Sequence, residues 1–209
     1  MAPRRQRLSR AESSAITRGR LLRAARTVFP ANGFYGTSLD AVAEEAGFSK
    51  GAVYSQFENK ADLFLAMLQE LNRERAAAIA EQVGAAESVV DVILAAKAWW
   101  IASRNSLEPQ PGFTVALVEY WAWAGRDPAV ARRVAEEHER MLAVVAEVLD
   151  EAIARVGGSL PYPSIEIVRM LTALGRGVTL ERHLSGDRVD LIMEPMLDYL
   201  LGAREFPLA

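Results

Sequence analysis

The sequence contains no cysteine, which excludes disulfide bonds and metal sites built on thiolates. It has only two histidines, His138 and His183, and no cluster or nucleophile motif typical of a catalytic or metal centre. Charges break every apolar run before the roughly 18 residues that a membrane helix needs. The arginine-rich start has no apolar segment of the kind found in secretory signals. We therefore expect a cytoplasmic chain that needs no cofactor, metal or membrane.

Signals for β-strands are also absent, whereas Ala, Leu, Glu and Arg are abundant. With 209 residues, 51% of them hydrophobic, the chain is large enough to bury a core. The pattern predicts an all-α protein, in which Pro30 and Pro195 shorten or kink the first and last helices. Nine helices are expected at about 14–31, 38–46, 49–57, 59–82, 87–105, 113–125, 127–156, 164–184 and 188–201. The fifth is apolar nearly all round and is expected to run through the interior.

Two short helix-forming segments within residues 37–60 are joined by a turn that contains Gly47. Thr37 is expected to cap the first helix and Ser49 the second. The second helix begins with polar and basic residues, which is the layout of a helix-turn-helix that reads the DNA major groove. The alternative is an ordinary helical hairpin with a core tyrosine and a surface lysine.

Charge is distributed unevenly along the chain. Residues 1–60 hold ten Lys or Arg against five Asp or Glu, a net charge of +5, and the remainder carries −8, which gives −3 overall. A basic end on an acidic body is typical of a polyanion-binding module joined to a part that does not touch DNA. We predict a flexible basic arm at 1–13, a DNA-binding domain at 14–60, and a ligand-binding and dimerisation domain at 61–209.

The helix pair and the helix before it resemble the TetR family of bacterial transcriptional regulators over about residues 14–63. The matching positions are Leu22, Ala25, Phe29, Gly33, Phe34, Thr37, Ser38, Ala46, Gly47, Phe48, Ser49, Gly51, Tyr54, Phe57 and Lys60. Later residues match only in the number, length and order of helices. The resemblance implies a homodimer that binds a palindromic operator in double-stranded DNA, commonly as a repressor. It also implies that a small molecule in the larger domain releases the operator.

Ten residues are predicted to contact DNA. Lys50 is suited to base edges or phosphates, and Thr37 offers a hydroxyl and an N–H to a phosphate. In the family, the residues at the positions of Tyr54 and Lys60 bind phosphates. Gln56 is suited equally to adenine and to the DNA backbone. The set is Thr37, Ser38, Ser49, Lys50, Gly51, Ala52, Tyr54, Ser55, Gln56 and Lys60.

A ligand cavity is predicted, lined by residues of the fourth, fifth, sixth and seventh helices. Aromatic residues are concentrated there and favour an apolar or aromatic effector, although plain core packing explains any single one of them. Neighbouring helical residues diverge by about 100°, so Trp99 and Trp100 cannot both face the cavity. His138 is either a polar contact for the ligand or a hydrogen-bonded, half-exposed histidine. The predicted lining is Leu68, Leu71, Trp100, Phe113, Leu117, Tyr120, Trp121, His138, Met141 and Val145.

The last two helices are expected to form the dimer surface. Gly175 and Gly177 remove side chains where another helix can approach closely, and the apolar stripes would meet their symmetry mates in a four-helix bundle. The predicted interface is Ile167, Leu171, Leu174, Gly175, Val178, Val189, Ile192, Met196 and Leu200.

Together these observations favour a ligand-responsive transcriptional regulator, expected to be a repressor. One alternative is a DNA-packaging protein without an effector. The other, a helical enzyme, is disfavoured because Glu136, Glu137 and Glu139 read as a solvated helix face and not as an acid pair.

Overall fold

The computed structural model describes the backbone of residues 9–106 and 112–185, and their side chains except those of 100–106 and 185. Eight helices occupy these ranges: α1 Arg10–Gly36, α2 Leu39–Glu45, α3 Lys50–Tyr54, α4 Lys60–Gly84, α5 Val89–Ser106, α6 Phe113–Ala124, α7 Pro128–Arg155 and α8 Ser164–Ser185. No strand occurs in them, and the predicted all-α fold is confirmed. The predicted ninth helix and Pro195 lie outside the described residues. None of the described helices is long and apolar enough to cross a membrane.

Side-chain caps fix where two of the long helices begin. Asn59 Oδ1 accepts hydrogen bonds from the backbone amides of Ala61 at 2.9 Å and Asp62 at 3.0 Å, and α4 starts directly afterwards. Asp127 Oδ1 accepts from the amide of Ala129 at 2.8 Å, and α7 starts at the proline that follows Asp127. These carboxamide and carboxylate oxygens satisfy amides that have no partner within the helix. Both starts were expected from the sequence.

The first helix differs from the prediction at both ends. It begins at Arg10 because Ser9 and Glu12 form a reciprocal capping box, with hydrogen bonds of 2.7 and 3.2 Å. Residues 10–13 are therefore helical, although we had assigned them to the flexible arm. Pro30 lies inside the helix and is buried; near the end of a helix a proline removes only one backbone hydrogen bond. The helix breaks at Gly33, whose φ is +72°, directly after the end that the sequence predicts near residue 31.

Two hydrophobic cores lie side by side along α4. The first core joins α1, α2, α3, the first half of α4, and α6, and the second joins the rest of α4 to α5, α7 and α8. Aromatic rings fill the first core: Phe34 lies 5.5 Å from Phe64 and 5.2 Å from Tyr120 between ring centroids, and Phe64 lies 4.8 Å from Tyr120. Because Tyr120 belongs to α6, a helix of the larger domain completes the core under the helix-turn-helix.

The prediction that α5 runs through the interior is wrong for part of its surface. Val92 and Ile93 are buried, but Val90 is 62% and Leu94 55% exposed. Helices α4 and α7 pack on α5 from one side, so its opposite apolar face has no cover within the described part of this chain.

Candidate DNA-binding surface and ligand cavity

Burial of one residue orients the short helix α3. Val53 has no exposed surface and packs in the first core together with Val42 of α2. Gly47, with φ of +71°, makes the turn between the two helices in a conformation that glycine adopts without strain. With Val53 turned inward, Lys50 and Gly51 face solvent, and Tyr54 is 57% exposed. These are residues that the sequence places on the DNA-reading face.

The other predicted DNA contacts on this face are also accessible. Ser49 precedes α3, and its side chain makes no capping hydrogen bond. Ser55 is exposed and donates its hydroxyl to the carbonyl of Ala52 at 2.7 Å. The ammonium of Lys50 pairs with the carboxylate of Asp40 on α2, and this hydrogen bond raises the pKa of Lys50. The chain therefore presents a compact polar surface at the start of α3.

Thr37 does not cap α2 as expected. Its side chain is 3% exposed, and its hydroxyl donates to the carbonyl of Gly33 at 2.7 Å. The residue that follows it, Ser38, is the cap, because its hydroxyl oxygen accepts from the amide of Ala41 at 3.1 Å. The expectation that the Thr37 hydroxyl reaches a phosphate is therefore wrong, and Ser38 is the exposed hydroxyl at this helix start.

Lys60 is placed differently from the phosphate-binding lysine that the resemblance implies. Its Nζ donates to three backbone carbonyls that follow the break in α1: Phe34 at 2.8 Å, Tyr35 at 3.0 Å and Thr37 at 3.1 Å. Burial lowers the pKa of Lys60. All three ammonium hydrogens are thus engaged within the protein, and the side chain clamps the end of α1 to the start of α4.

The side chain of Gln56 is held against α1. Its amide Nε2 donates to the hydroxyl of Ser14 on α1 at 2.9 Å, so the expected contact to adenine or the DNA backbone is not the one this side chain makes. Arg18 of α1 donates to the Gln56 carbonyl at 3.2 Å and stacks 4.4 Å from the ring centroid of Phe57. In the sequence Arg18 is recognisable only as one of the basic residues of 1–60, because spacing along the chain gives no signal for this contact.

A cavity of about 210 Å³ lies between α4, α5, α6, α7 and α8. The predicted residues that line it are Leu68, Phe113, Leu117, Trp121, His138, Met141 and Val145. Two predicted residues do not: Leu71 packs on the first core, and Tyr120 is buried in the aromatic cluster, where burial raises the pKa of its hydroxyl to about 12. The side chain of Trp100 is outside the described residues, and its neighbour Trp99 faces the cavity.

Polar residues in the cavity wall were missed by the sequence analysis. Arg176 of α8 lies with its guanidinium carbon 4.5 Å from the ring centroid of Trp121 and a guanidinium nitrogen 3.4 Å from His138 Nε2. Burial, helped by the charge of Arg75, lowers the pKa of Arg176 to about 10. Burial and then Arg176 lower the pKa of His138. The available signal was an arginine between two glycines within the largely apolar stretch 170–180 of α8.

The predicted dimer stripe on α8 faces its own protomer. Ile167 is fully buried and Val178 is 4% exposed, Leu171 and Gly175 line the cavity, and Leu174 packs beside Val178. This side of α8 is covered because α5 and α7 pack against it. The predicted residues Val189, Ile192, Met196 and Leu200 are outside the described residues. The outward side of α8 carries Met170, Ala173, Gly177 and Leu184.

Models of known families match both parts of the chain. Residues 21–67 match the model of bacterial regulatory proteins of the tetR family, and residues 97–199 match that of the C-terminal part of BetI-type transcriptional repressors. The first match covers the helix-turn-helix, and the second begins in α5. Both describe regulators and neither describes an enzyme.

Individual relatives agree with these models. The chain is 30% identical to the transcriptional regulator UidR of Escherichia coli over 137 residues, which are 65% of this chain and 66% of UidR. It is 44% identical over 52 residues to the transcriptional activator FasR of Mycolicibacterium smegmatis, or 25% of this chain and 24% of FasR. The structure of FadR from Bacillus subtilis in complex with stearoyl-CoA has the same fold, with a TM-score of 0.66, 16% identity, and coverage of 90% of this chain and 99% of that one.

Substitution of Lys60 tests whether its ammonium clamps the end of α1 to the start of α4. Lys60→Met should lower the free energy of unfolding by about 1–2 kcal/mol, because part-buried carbonyls lose their donor. Urea denaturation monitored by circular dichroism measures this change. Lys50→Met is the matched control, since Lys50 is exposed and its ion pair contributes little to stability. A Lys60→Met protein as stable as the unmodified one would contradict the clamp.

Proposed function

The chain belongs to the TetR family of bacterial transcriptional regulators, and from this membership we propose that it binds a palindromic operator as a homodimer and releases it when a small molecule fills the cavity. The observation that supports this proposal most is the position of α6. This helix lines the cavity through Phe113, Leu117 and Trp121, and Phe113 and Leu117 also belong, with the adjacent Tyr120, to the core beneath the DNA-binding helices.

DNA recognition is assigned to the exposed surface of α3 and the helix start before α2. Lys50, Gly51 and Ala52 are positioned for base edges, and Tyr54, Ser49 and Ser38 for phosphates on either side. Because α3 has only five residues, it reads few base pairs by itself. A two-fold dimer that places one α3 in each of two successive major grooves, about 34 Å apart, doubles the length of sequence that is read.

The outward side of α8 is proposed as the described part of the dimer interface. Leu184 is 82% and Met170 37% exposed, and a side chain added at Gly177 would meet no atom within 4 Å. Exposed Glu166 and Glu181 lie on the same side, and the glycine and alanine at its centre allow a symmetry mate to approach closely. This side replaces the predicted stripe, which is buried within the protomer.

Ligand binding is coupled to DNA binding through Glu119, which lies on the side of α6 away from the cavity. Its Oε2 accepts hydrogen bonds from the amides of Phe34 at 2.7 Å and Tyr35 at 3.2 Å, directly after the break at Gly33. A ligand that pushes on Leu117 or Trp121 would shift α6 and, with it, the end of α1. The ligand then favours a dimer in which the spacing of the two α3 helices no longer fits DNA.

The effector is proposed to be a compact molecule with an apolar or aromatic body, because most of the cavity wall is apolar. FadR of Bacillus subtilis holds stearoyl-CoA on the same fold, which supports a ligand role for this part of the chain. We propose repression as the direction of control, because residues 97–199 match a model of transcriptional repressors. The activator FasR aligns over only 52 residues.

Two substitutions on α3 test the DNA-binding assignment. Tyr54→Ala should weaken binding to all sequences, because a phosphate contact carries no sequence information. Lys50→Ala should change which sequences are preferred, because a base contact is lost. Selection of bound DNA followed by gel-shift titration measures both effects, with Tyr162→Ala as a control at another exposed tyrosine.

The same titration distinguishes a regulator from a DNA-packaging protein. An operator reader should bind its selected sequence at least about 10³-fold more tightly than random DNA. Equal affinity for selected and random DNA would contradict operator reading.

Removal of the Glu119 carboxylate tests the coupling. In Glu119→Ala the amides of Phe34 and Tyr35 lose their acceptor, so their hydrogen exchange should accelerate. Affinity for the selected DNA should fall at least about fivefold, although Glu119 is remote from α3. Glu136→Ala, an exposed glutamate of α7, is the control. If hydrogen exchange and DNA affinity are both unchanged in Glu119→Ala, coupling of the cavity to the DNA-binding helices through Glu119 is excluded.

A substitution at Gly177 tests the dimer side of α8. Gly177→Gln should not weaken the helix, since glycine in a helix interior already costs roughly 0.5–1 kcal/mol relative to alanine. It should nevertheless raise the dimer dissociation constant at least about tenfold, because a symmetry mate can no longer approach closely. Sedimentation equilibrium measures this constant. Gly84→Gln, at another glycine with open space, should leave it unchanged, and an unchanged constant in Gly177→Gln would place the interface elsewhere.

A further inference from the structure

Arg176 is a cation inside a mostly apolar cavity. Its contacts are the face of Trp121 and the Nε2 atom of His138. Across the described ranges 9–106 and 112–185, no carboxylate lies within salt-bridge distance of its guanidinium. Charges removed from water are normally paired, because the loss of hydration is otherwise uncompensated. A ring face offsets only a part of this loss.

Two other charged side chains of the described residues, Arg75 and Glu137, lie in the cavity wall. Arg75 of α4 also lines the cavity, and its charge contributes to lowering the pKa of Arg176. Glu137 is the acidic residue among the lining side chains. Its two carboxylate oxygens already accept hydrogen bonds, one from Gln69 at 2.6 Å and the other from Arg140. The carboxylate of Glu137 is therefore already engaged, and it does not pair with Arg176.

We propose that the cavity binds a compact organic carboxylate, whose anionic group pairs with Arg176 and whose apolar body lies against Trp99, Phe113 and Met141. The planar guanidinium offers paired N–H donors that match the two oxygens of a carboxylate. The ring of Trp121 and the imidazole of His138 hold the guanidinium in place, so that little side-chain freedom is lost when the anion arrives. This inference rests on the proposed function and specifies the ligand class for that same cavity.

The size of the cavity limits the apolar body. A dry cavity of about 150 Å³ in another protein accommodates benzene, so the 210 Å³ measured here fits one ring with a short side chain, or an aliphatic chain of similar volume. Inorganic anions do not fit the proposal, because they would leave the apolar wall without a partner. The matched probes are 3-phenylpropanoate with 3-phenylpropanamide, and octanoate with octanamide, because each pair differs in charge and hardly in shape.

Isothermal titration of the full-length protein with each probe tests the proposal. Each carboxylate should bind at least about tenfold more tightly than its amide, because hydrogen bonds to a charged group contribute more than neutral ones. This comparison in the unmodified protein does not depend on the folding of any variant. Carboxylates that bind no more tightly than the amides, or that do not bind at all, would overturn the proposal.

Substitutions on α8 then identify the responsible residue. Arg176→Gln should abolish the preference for carboxylate over amide and leave the affinity for the amide within about twofold of that of the unmodified protein. Arg176→Lys should retain part of the preference, because lysine keeps the positive charge but lacks the paired N–H donors of a guanidinium. Arg169→Gln is the control on the same helix, since Arg169 pairs with Glu139 at 2.6 Å outside the cavity. A preference that survives in Arg176→Gln, with the fold checked by circular dichroism, would also overturn the assignment.

The gel-shift titration with DNA distinguishes a failure of this ligand-class proposal from a failure of the proposed function. Sequence-specific DNA binding without a carboxylate preference would overturn the ligand class and leave the regulator assignment intact. Loss of sequence-specific DNA binding in the unmodified protein would contradict the proposed function itself. If a carboxylate is the effector, 3-phenylpropanoate or octanoate at saturation should weaken the DNA complex, and the matching amide at the same concentration should not.

Discussion

The structure depends on how the chain is held where α1 breaks at Gly33. This residue has φ of +72°, a conformation that glycine adopts without strain, and a Cβ atom there would lie 2.6 Å from the Glu119 carboxylate, which would have to move from its position beside this segment. Glu119 then accepts hydrogen bonds from the amides that follow the break, and Lys60 donates to the carbonyls of the same segment. One short segment is thereby fixed by α4 from one side and by α6 from the other. These polar contacts add to the packing of Phe34 against Tyr120 in holding the end of α1 against α6.

This arrangement changes how the basic charge of residues 1–60 is understood. Arg26 forms a two-pronged ion pair with Glu74 at 2.7 and 2.8 Å, which ties α1 to α4. Arg18 holds the segment after α3, and Lys60 holds the end of α1. These cations act within the fold, so the proposed DNA-binding surface, centred on the start of α3, holds fewer free cations than the charge count implies. Conversely, Arg176 is a cation in the acidic part of the chain, where net charge gave no reason to expect a positive site.

Local signals were sufficient for much of the fold. Asn59 and Asp127 cap helices as expected, because a cap depends on residues within one turn of it, whereas Ser49 precedes α3 without the expected side-chain capping hydrogen bond. The spacing of apolar residues placed seven predicted residues on the cavity wall. Predictions failed where two sides of a helix are both apolar: Tyr120 and the stripe from Ile167 to Val178 could face a ligand, a partner or the core, and periodicity does not distinguish among these. Failures also occurred for Gln56 and Lys60, whose polar side chains have partners far away in the chain, and for Thr37, whose hydroxyl donates to the carbonyl of Gly33 at the break in α1.

The sequence by itself determined the all-α class, the order of the described helices and the short helix that presents Lys50 and Tyr54, because these follow from capping, turn and burial patterns within about twenty residues. Tertiary structure alone decided which apolar side of α8 is buried, which lysine is a clamp, and that an arginine enters the cavity. Each of these depends on atoms far apart in the chain, such as Glu119 and Phe34 or Arg176 and Trp121. The residues that connect the ligand cavity to the DNA-binding helices are therefore visible only once α6 is placed between them.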